Sequence, residues 1–165
     1  MIPAKRFVLD ANVFIEASRR YYAFDLAPGF WQGLLRYAAM DRVVSIDRVR
    51  DELRRGNDDL AAWAERHESL FVTTDDPDVI TAYGRIMNWA HGQHQFFASA
   101  KAKFAKDTDA WVVAYALGKD MIVVTHEQLH PDAKREVYIP NVCRAFSVSY
   151  MNTFEMLREL GFQFR

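Results

Sequence analysis

Four short apolar runs rich in β-branched residues, RFVLD (6–10), RVVSI (42–46), LFVTT (70–74) and MIVVT (121–125), are separated by stretches whose apolar residues recur at helical spacing. Strands alternating with helices are joined by right-handed crossovers, which produces a mainly parallel sheet with helices on both faces. The expected architecture is a three-layer α/β/α sandwich.

The segments between the runs can be read more closely. ANVFIEASRRYY places Val13, Ala17 and Tyr21 four apart, as one helix would. LAPGF holds a Pro-Gly turn before the amphipathic FWQGLLRYAAM. DRVRDELRR reads as a helix capped by Asp47 and ended at Gly56–Asn57, and DLAAWAERHES as another. Asp76–Pro77 opens a long helical region through about Lys106, broken near His91–Gly92. DTDAWVVAYALGKD and MNTFEMLREL are further helices, while EVYI and FSVS read as one or two short extra strands. With no linker-like segment or internal repeat, residues 1–165 are expected to form a single domain.

Length and composition agree with this. A chain of 165 residues can bury roughly 68–70% of the surface its unfolded form exposes. It is 50% hydrophobic and 26% charged, which points neither to disorder nor to a membrane span. MIPAKRFVLD runs straight into a strand without a signal-peptide apolar region, so the expected location is cytoplasmic. The lone Cys143 cannot form an internal disulfide and is expected to be a small buried apolar residue. A net charge of −1 gives no general attraction to nucleic acid, so any such affinity must come from local basic tracts.

The acids carry the chemistry. FVLDANVF sets Asp10 and Asn12 where the first strand ends, and ligands of parallel sheets lie beyond the carboxyl ends of strands. Glu127 follows the MIVVT run, Glu52 lies on the helix after RVVSI, and Asp109 starts the helix that leads into MIVVT. Each has an ordinary reading: Asp10 and Asp109 suit helix caps, and Glu52 can pair with Arg48 or Arg55 at helical spacing. Together, each adjoins a run that should be buried. Carboxylates converging in one crevice raise each other's pKa, and a hard divalent ion such as Mg²⁺ relieves the repulsion. No His/Cys cluster competes for a softer metal.

In order and character these blocks resemble a PIN-domain nuclease, similar to the VapC-type toxins of bacterial and archaeal toxin–antitoxin pairs, over most of the chain. FVLDANVFIE resembles the family's opening strand, SIDRVRDEL its second element, and DTDAWVVAYALGKDMIVVTHE its third and fourth. DAWVVAYA and the ending IPNVCRAFSVSYMNTFEMLRELGF resemble a longer, uncharacterised PIN-like subgroup similar to DUF4411. The resemblance implies a PIN-like fold with a helical insertion at about 76–106, and a metal-dependent endoribonuclease using Mg²⁺ or Mn²⁺. It assigns the metal-binding acids to Asp10, Glu52, Asp109 and Glu127, the last at a position more often aspartate. Asp107 is an alternative third acid or a supporting carboxylate, Asn12 a neutral partner that fixes Asp10, and Thr125 a hydroxyl for an acid or a substrate phosphate. His126 is a candidate proton donor to the leaving oxygen. Arg48, Lys101 and Lys103 are candidate RNA contacts, set against the reading of solvated helix faces; the aromatics of WAHGQHQFFASAKAKFAK are expected to fill the core. Implied partners are RNA, an antitoxin protein and a second copy of the chain, with no membrane. The alternatives are a non-catalytic RNA-binding or regulatory protein, and a phosphatase with an aspartate nucleophile, which needs a second aspartate where Asn12 stands.

Overall fold

The computed structural model describes residues 3–164. Its centre is strand β1, Phe7–Leu9, whose three side chains are all fully buried. Successive strand residues point to opposite faces, so burial of all three means that the sheet is covered on both sides. β2 (Val43–Ile46) and β4 (Ile122–Val124) flank β1, with Phe7 opposite Val43 on one side and Ile122 on the other. The two-residue strands β3 (Phe71–Val72) and β5 (Tyr150–Met151) form the edges, giving the all-parallel order β3-β2-β1-β4-β5.

The helices follow in chain order. α1 (Ala11–Glu16), α2 (Pro28–Ala39), α3 (Asp47–Arg54) and α4 (Asp59–Arg66) come before β3. α5 (Pro77–Gly92), α6 (Ala98–Lys106) and α7 (Asp109–Lys119) lie between β3 and β4, and α8 (Ile139–Phe146) and α9 (Thr153–Leu160) bracket β5. Among the described residues no helix is long and apolar enough to cross a membrane.

Local sequence explains most boundaries. Asp76 accepts hydrogen bonds from the amides of Asp78 and Val79 at the start of α5, where Pro77 has no amide to satisfy. Asn152 and Glu155 form a capping box that opens α9, and Gly161 ends it in the left-handed region at φ 66°.

Several segments differ from the expectation. The helix after β1 is not continuous: α1 gives way to a π-helical turn over Ala17–Tyr21. Pro28–Gly29 does not form a turn ahead of α2 but its first turn, since proline at the first helical position gives up an amide that would be unbonded anyway. Asp47 is the first residue of α3, not its cap, and its carboxylate reaches across to Thr74. EVYI is not a strand. Ile139, Val142 and Cys143 are buried and Phe146 packs beside them, a helical spacing that a β-branched composition concealed. Ser147 ends α8 at φ 57°, and the edge strand begins only at Tyr150.

α7 is the axis of the helical layer, touching β1, β2 and β4 on one side and α5 along its length. That approach depends on Gly118, where an added Cβ would lie 2.9 Å from the carbonyl oxygen of Asp78. Because the obstacle is backbone at the head of α5, it cannot swing aside. Gly118→Ala is expected to lower stability by about 1–3 kcal/mol, read as a fall of several degrees in the thermal unfolding midpoint; an unchanged midpoint would show that the two helices can separate freely.

Candidate active site

The chain runs outward from β1 to β2 and β3, then returns to place β4 on the opposite side of β1. Such a reversal leaves a crevice beyond the carboxyl ends of the two strands that part there. Asp10 directly follows β1 and Thr125 directly follows β4; each is 2% exposed. The Asp10 amide donates to the Val124 carbonyl at 3.0 Å, so the strand ladder fixes where the carboxylate begins.

Thr125 ties the two strand ends together. Its hydroxyl donates to Asp10 Oδ2 at 3.0 Å and accepts from the Glu127 amide at 3.1 Å. Glu127 in turn accepts from the Ile139 amide at the first turn of α8 through one carboxylate oxygen, at 2.9 Å. That amide is one of the donors a helix start leaves unbonded, so Glu127 holds α8 in place and is held by it. Nothing in the sequence marked Ile139, because its contribution is a backbone group.

Glu52 and Asp109 come from the other side, on α3 and at the start of α7. Burial pushes Glu52 up, opposed by the Thr108 hydroxyl and reinforced by Asp107. Burial, then the charge of Glu127, pushes Asp10 up to about 7, while the Thr125 hydroxyl draws it down. Asp109 is pushed up to about 9 by burial and by the charges of Asp10, Glu127, Asp107 and Glu52 in that order. Glu127 is also raised, chiefly by burial. The four acids therefore share one electrostatic neighbourhood, and Asp107 stands at its edge.

Among the described residues none of the four forms an ion pair with a cationic side chain. Nor do any three His, Cys, Asp or Glu side chains among the described residues stand close enough together to hold a metal ion as they are placed. The donors are all oxygens, a set that fits a hard cation such as Mg²⁺ or Mn²⁺ better than zinc or copper.

Of the supporting residues, Thr125 bonds an acid as expected, whereas Asn12 does not. Asn12 is exposed and makes no hydrogen bond to Asp10; Thr125, reaching across from β4, does the positioning. Asn12 lies two residues on, where the chain has already entered α1. His126 is turned away toward α9, 2.9 Å from the Thr153 hydroxyl and between the rings of Tyr21 and Phe154, with its pKa lowered by burial. Lys101 donates to the His91 carbonyl and Lys103 pairs with Glu136, so two of the three lysines of α6 are already engaged. In the same stretch Phe96 is buried and Trp89 packs on it, while Phe97 is half exposed. Arg48 makes no ion pair with Glu52 but lies beside it in a cleft with Arg55, Lys106 and Asp107.

The chain belongs to the family described as Domain of unknown function (DUF4411), whose model matches residues 7–164. Among solved structures it is similar to a chain in the crystal structure of VapBC2 from Rickettsia felis bound to a DNA fragment from their promoter. That likeness has a TM-score of 0.54 at 12% identity and covers 88% of this chain and 97% of that one. At this identity it speaks to fold alone: the mainly parallel α/β sheet with its helices is similar to that chain's. No curated protein matches the sequence.

The raised carboxyls have a consequence for stability. In the unfolded chain Asp10 and Asp109 titrate near 3.8, in the folded chain at about 7 and about 9. The folded state thus binds more protons across this interval, so stability is retained at the acid end and falls as pH rises through it. Chelator-treated protein is expected to melt at progressively lower temperature from about pH 5 to about pH 8, Asp109→Asn to fall less, and added Mn²⁺ to restore the midpoint most at the alkaline end. A midpoint insensitive to Mn²⁺ and to Asp109→Asn would show that the acids do not repel.

Proposed function

We propose that this protein is a PIN-type endoribonuclease dependent on Mg²⁺ or Mn²⁺, and the toxin of a toxin–antitoxin pair. The observation that carries the reading is the group of four interacting acids, Asp10, Glu52, Asp109 and Glu127, none of them ion-paired with a cation among the described residues, at the switch point of a PIN-like sheet. Asp109, raised first by burial and then by the charges of Asp10, Glu127 and Glu52, has more neighbouring carboxylates than a helix cap requires.

Asp10, Glu52 and Asp109 would hold the ion, with Glu127 completing the set and Asp107 beside it. When bound, the divalent ion supplies charge neutralisation at the phosphoryl oxygens and acidifies water near them. The chain does the rest by positioning. Thr125 fixes the Asp10 carboxylate, and the Ile139 amide holds one oxygen of Glu127. The other oxygen is left to orient the attacking water, and a carboxylate raised by burial is better matched to accepting its proton near neutral pH. In-line attack at phosphorus then breaks the bond to the 3′ oxygen, leaving a 5′-phosphate and a 3′-hydroxyl.

The VapBC2 structure is a complex bound to a DNA fragment of its promoter. By analogy, we assign this chain an antitoxin partner and a paired assembly.

RNA cleavage is expected to require Mg²⁺ or Mn²⁺, to stop with chelator, and to drop to background in Asp10→Asn. Thr125→Val, which removes the hydroxyl that fixes Asp10 and keeps the shape, is expected to reduce cleavage about 10–100-fold. Full activity of Asp10→Asn, measured on labelled RNA, would remove the site.

A further inference from the structure

The cleft beside Glu52 is lined by Arg48, Arg55, Lys106, Asp107, Thr108 and Trp111, with Asp51 at its wall facing Arg54 at 4.0 Å. Its three cations contrast with their neighbours. On the same helix Arg50 pairs with Glu68 and Arg54 with Glu65, whereas Arg48, Arg55 and Lys106 have no carboxylate partner among the described residues. Arg48, Arg55 and Lys106 are thus left without an ion-pair partner in a cleft that shares Glu52 and Asp107 with the acid group.

Arg48 is also held in place. Its guanidinium carbon lies 4.1 Å from the centre of the Trp111 ring. The opposite face of Trp111 is stacked on Tyr83, with centroids 3.8 Å apart and planes 6° from parallel. Tyr83 donates its hydroxyl to the Ala105 carbonyl at 3.3 Å, at the end of α6. From the side, Arg48 Nε donates to the Thr74 hydroxyl at 3.2 Å, and Thr74 is gripped by Asp47 through both its hydroxyl and its amide. These contacts use Nε and one face of the guanidinium and leave its two terminal nitrogens uncommitted. Arg48 lies four residues before Glu52 on α3, and Trp111 two after Asp109 on α7, so the elements that carry two of the acids also carry the arginine and its support.

We propose that the Tyr83–Trp111–Arg48 column fixes Arg48 as a two-pronged clamp for a backbone phosphate of single-stranded RNA, one adjoining the bond to be cut, with Arg55 and Lys106 completing the subsite. A planar guanidinium with both terminal nitrogens free matches two phosphate oxygens at once, which an ammonium cannot do. A free surface arginine loses rotamer freedom when it binds; stacking against Trp111 removes that freedom beforehand. Trp111, Tyr83 and Thr74 are positioning residues, acting through Arg48. This inference rests on the ribonuclease reading.

The test is binding of a mixed-sequence single-stranded RNA pool to the full-length Asp10→Asn protein in Mg²⁺, followed by fluorescence anisotropy at several salt concentrations. Adding Arg48→Ala is expected to weaken binding by about tenfold or more and to lower the slope of log K against log salt by about one. Arg48→Lys is expected to keep the slope but not the affinity. Trp111→Ala is expected to weaken binding when Arg48 is present and to add little once Arg48→Ala is in place, a coupling that a merely structural tryptophan would not show. If the otherwise native chain cleaves RNA while Arg48→Ala and Arg48→Lys bind with unchanged affinity and salt slope, the clamp is overturned and the ribonuclease reading stands. A chain that neither cleaves nor binds RNA overturns both.

Discussion

One buried carboxylate, Asp10, with three half-buried acids gathered around it, is the constraint the rest of this molecule accommodates. Four acids arrive from separate segments near the ends of the central strands, and none of them has an ion-pair partner among the described residues. A fold optimised only for stability would have placed apolar or paired side chains there, because lone buried charges are among the most unfavourable groups a protein can carry. The surrounding core tolerates the group because it is extensive. β1 is wholly buried, α7 lies across three strands, and the aromatic cluster of Phe14, Trp31, Trp63 and Phe71 packs beneath α1 and α4. Stability elsewhere offsets the cost of gathering these acids.

Much of this was legible in the sequence. A carboxylate at the end of an apolar strand is conspicuous, and Asp10 and Glu127 stood at such ends; the alternation of runs gave the parallel sheet that sets them at one rim. Glu52 and Asp109 were legible only jointly, since each alone is an ordinary helical acid. The less visible features are those made by contacts distant in sequence. Thr125 and Asp10 are 115 residues apart, and no local pattern says that a threonine rather than Asn12 holds the aspartate. α8 was hidden because Val137 and Ile139 imitate a strand, while the helical spacing begins only at Ile139.

The basic groups show the same division. Composition singled out the lysines of α6, yet Lys101 and Lys103 are engaged with a carbonyl and a carboxylate of the protein itself. Arg48, one of four arginines in a row of similar appearance, is distinguished by what surrounds it in space: an indole face supplied by α7 and a threonine hydroxyl after β3. Charge counts identify candidates; the third dimension decides which of them remain free to meet a ligand.

The account stands most directly on whether the acid group receives a divalent ion. Crystals of the full chain soaked in Mn²⁺ and measured at the manganese absorption edge would answer this. The account predicts an anomalous peak within coordination distance of Asp10 and Asp109. Well-ordered acids with no peak between them, or manganese bound only elsewhere on the surface, would contradict it.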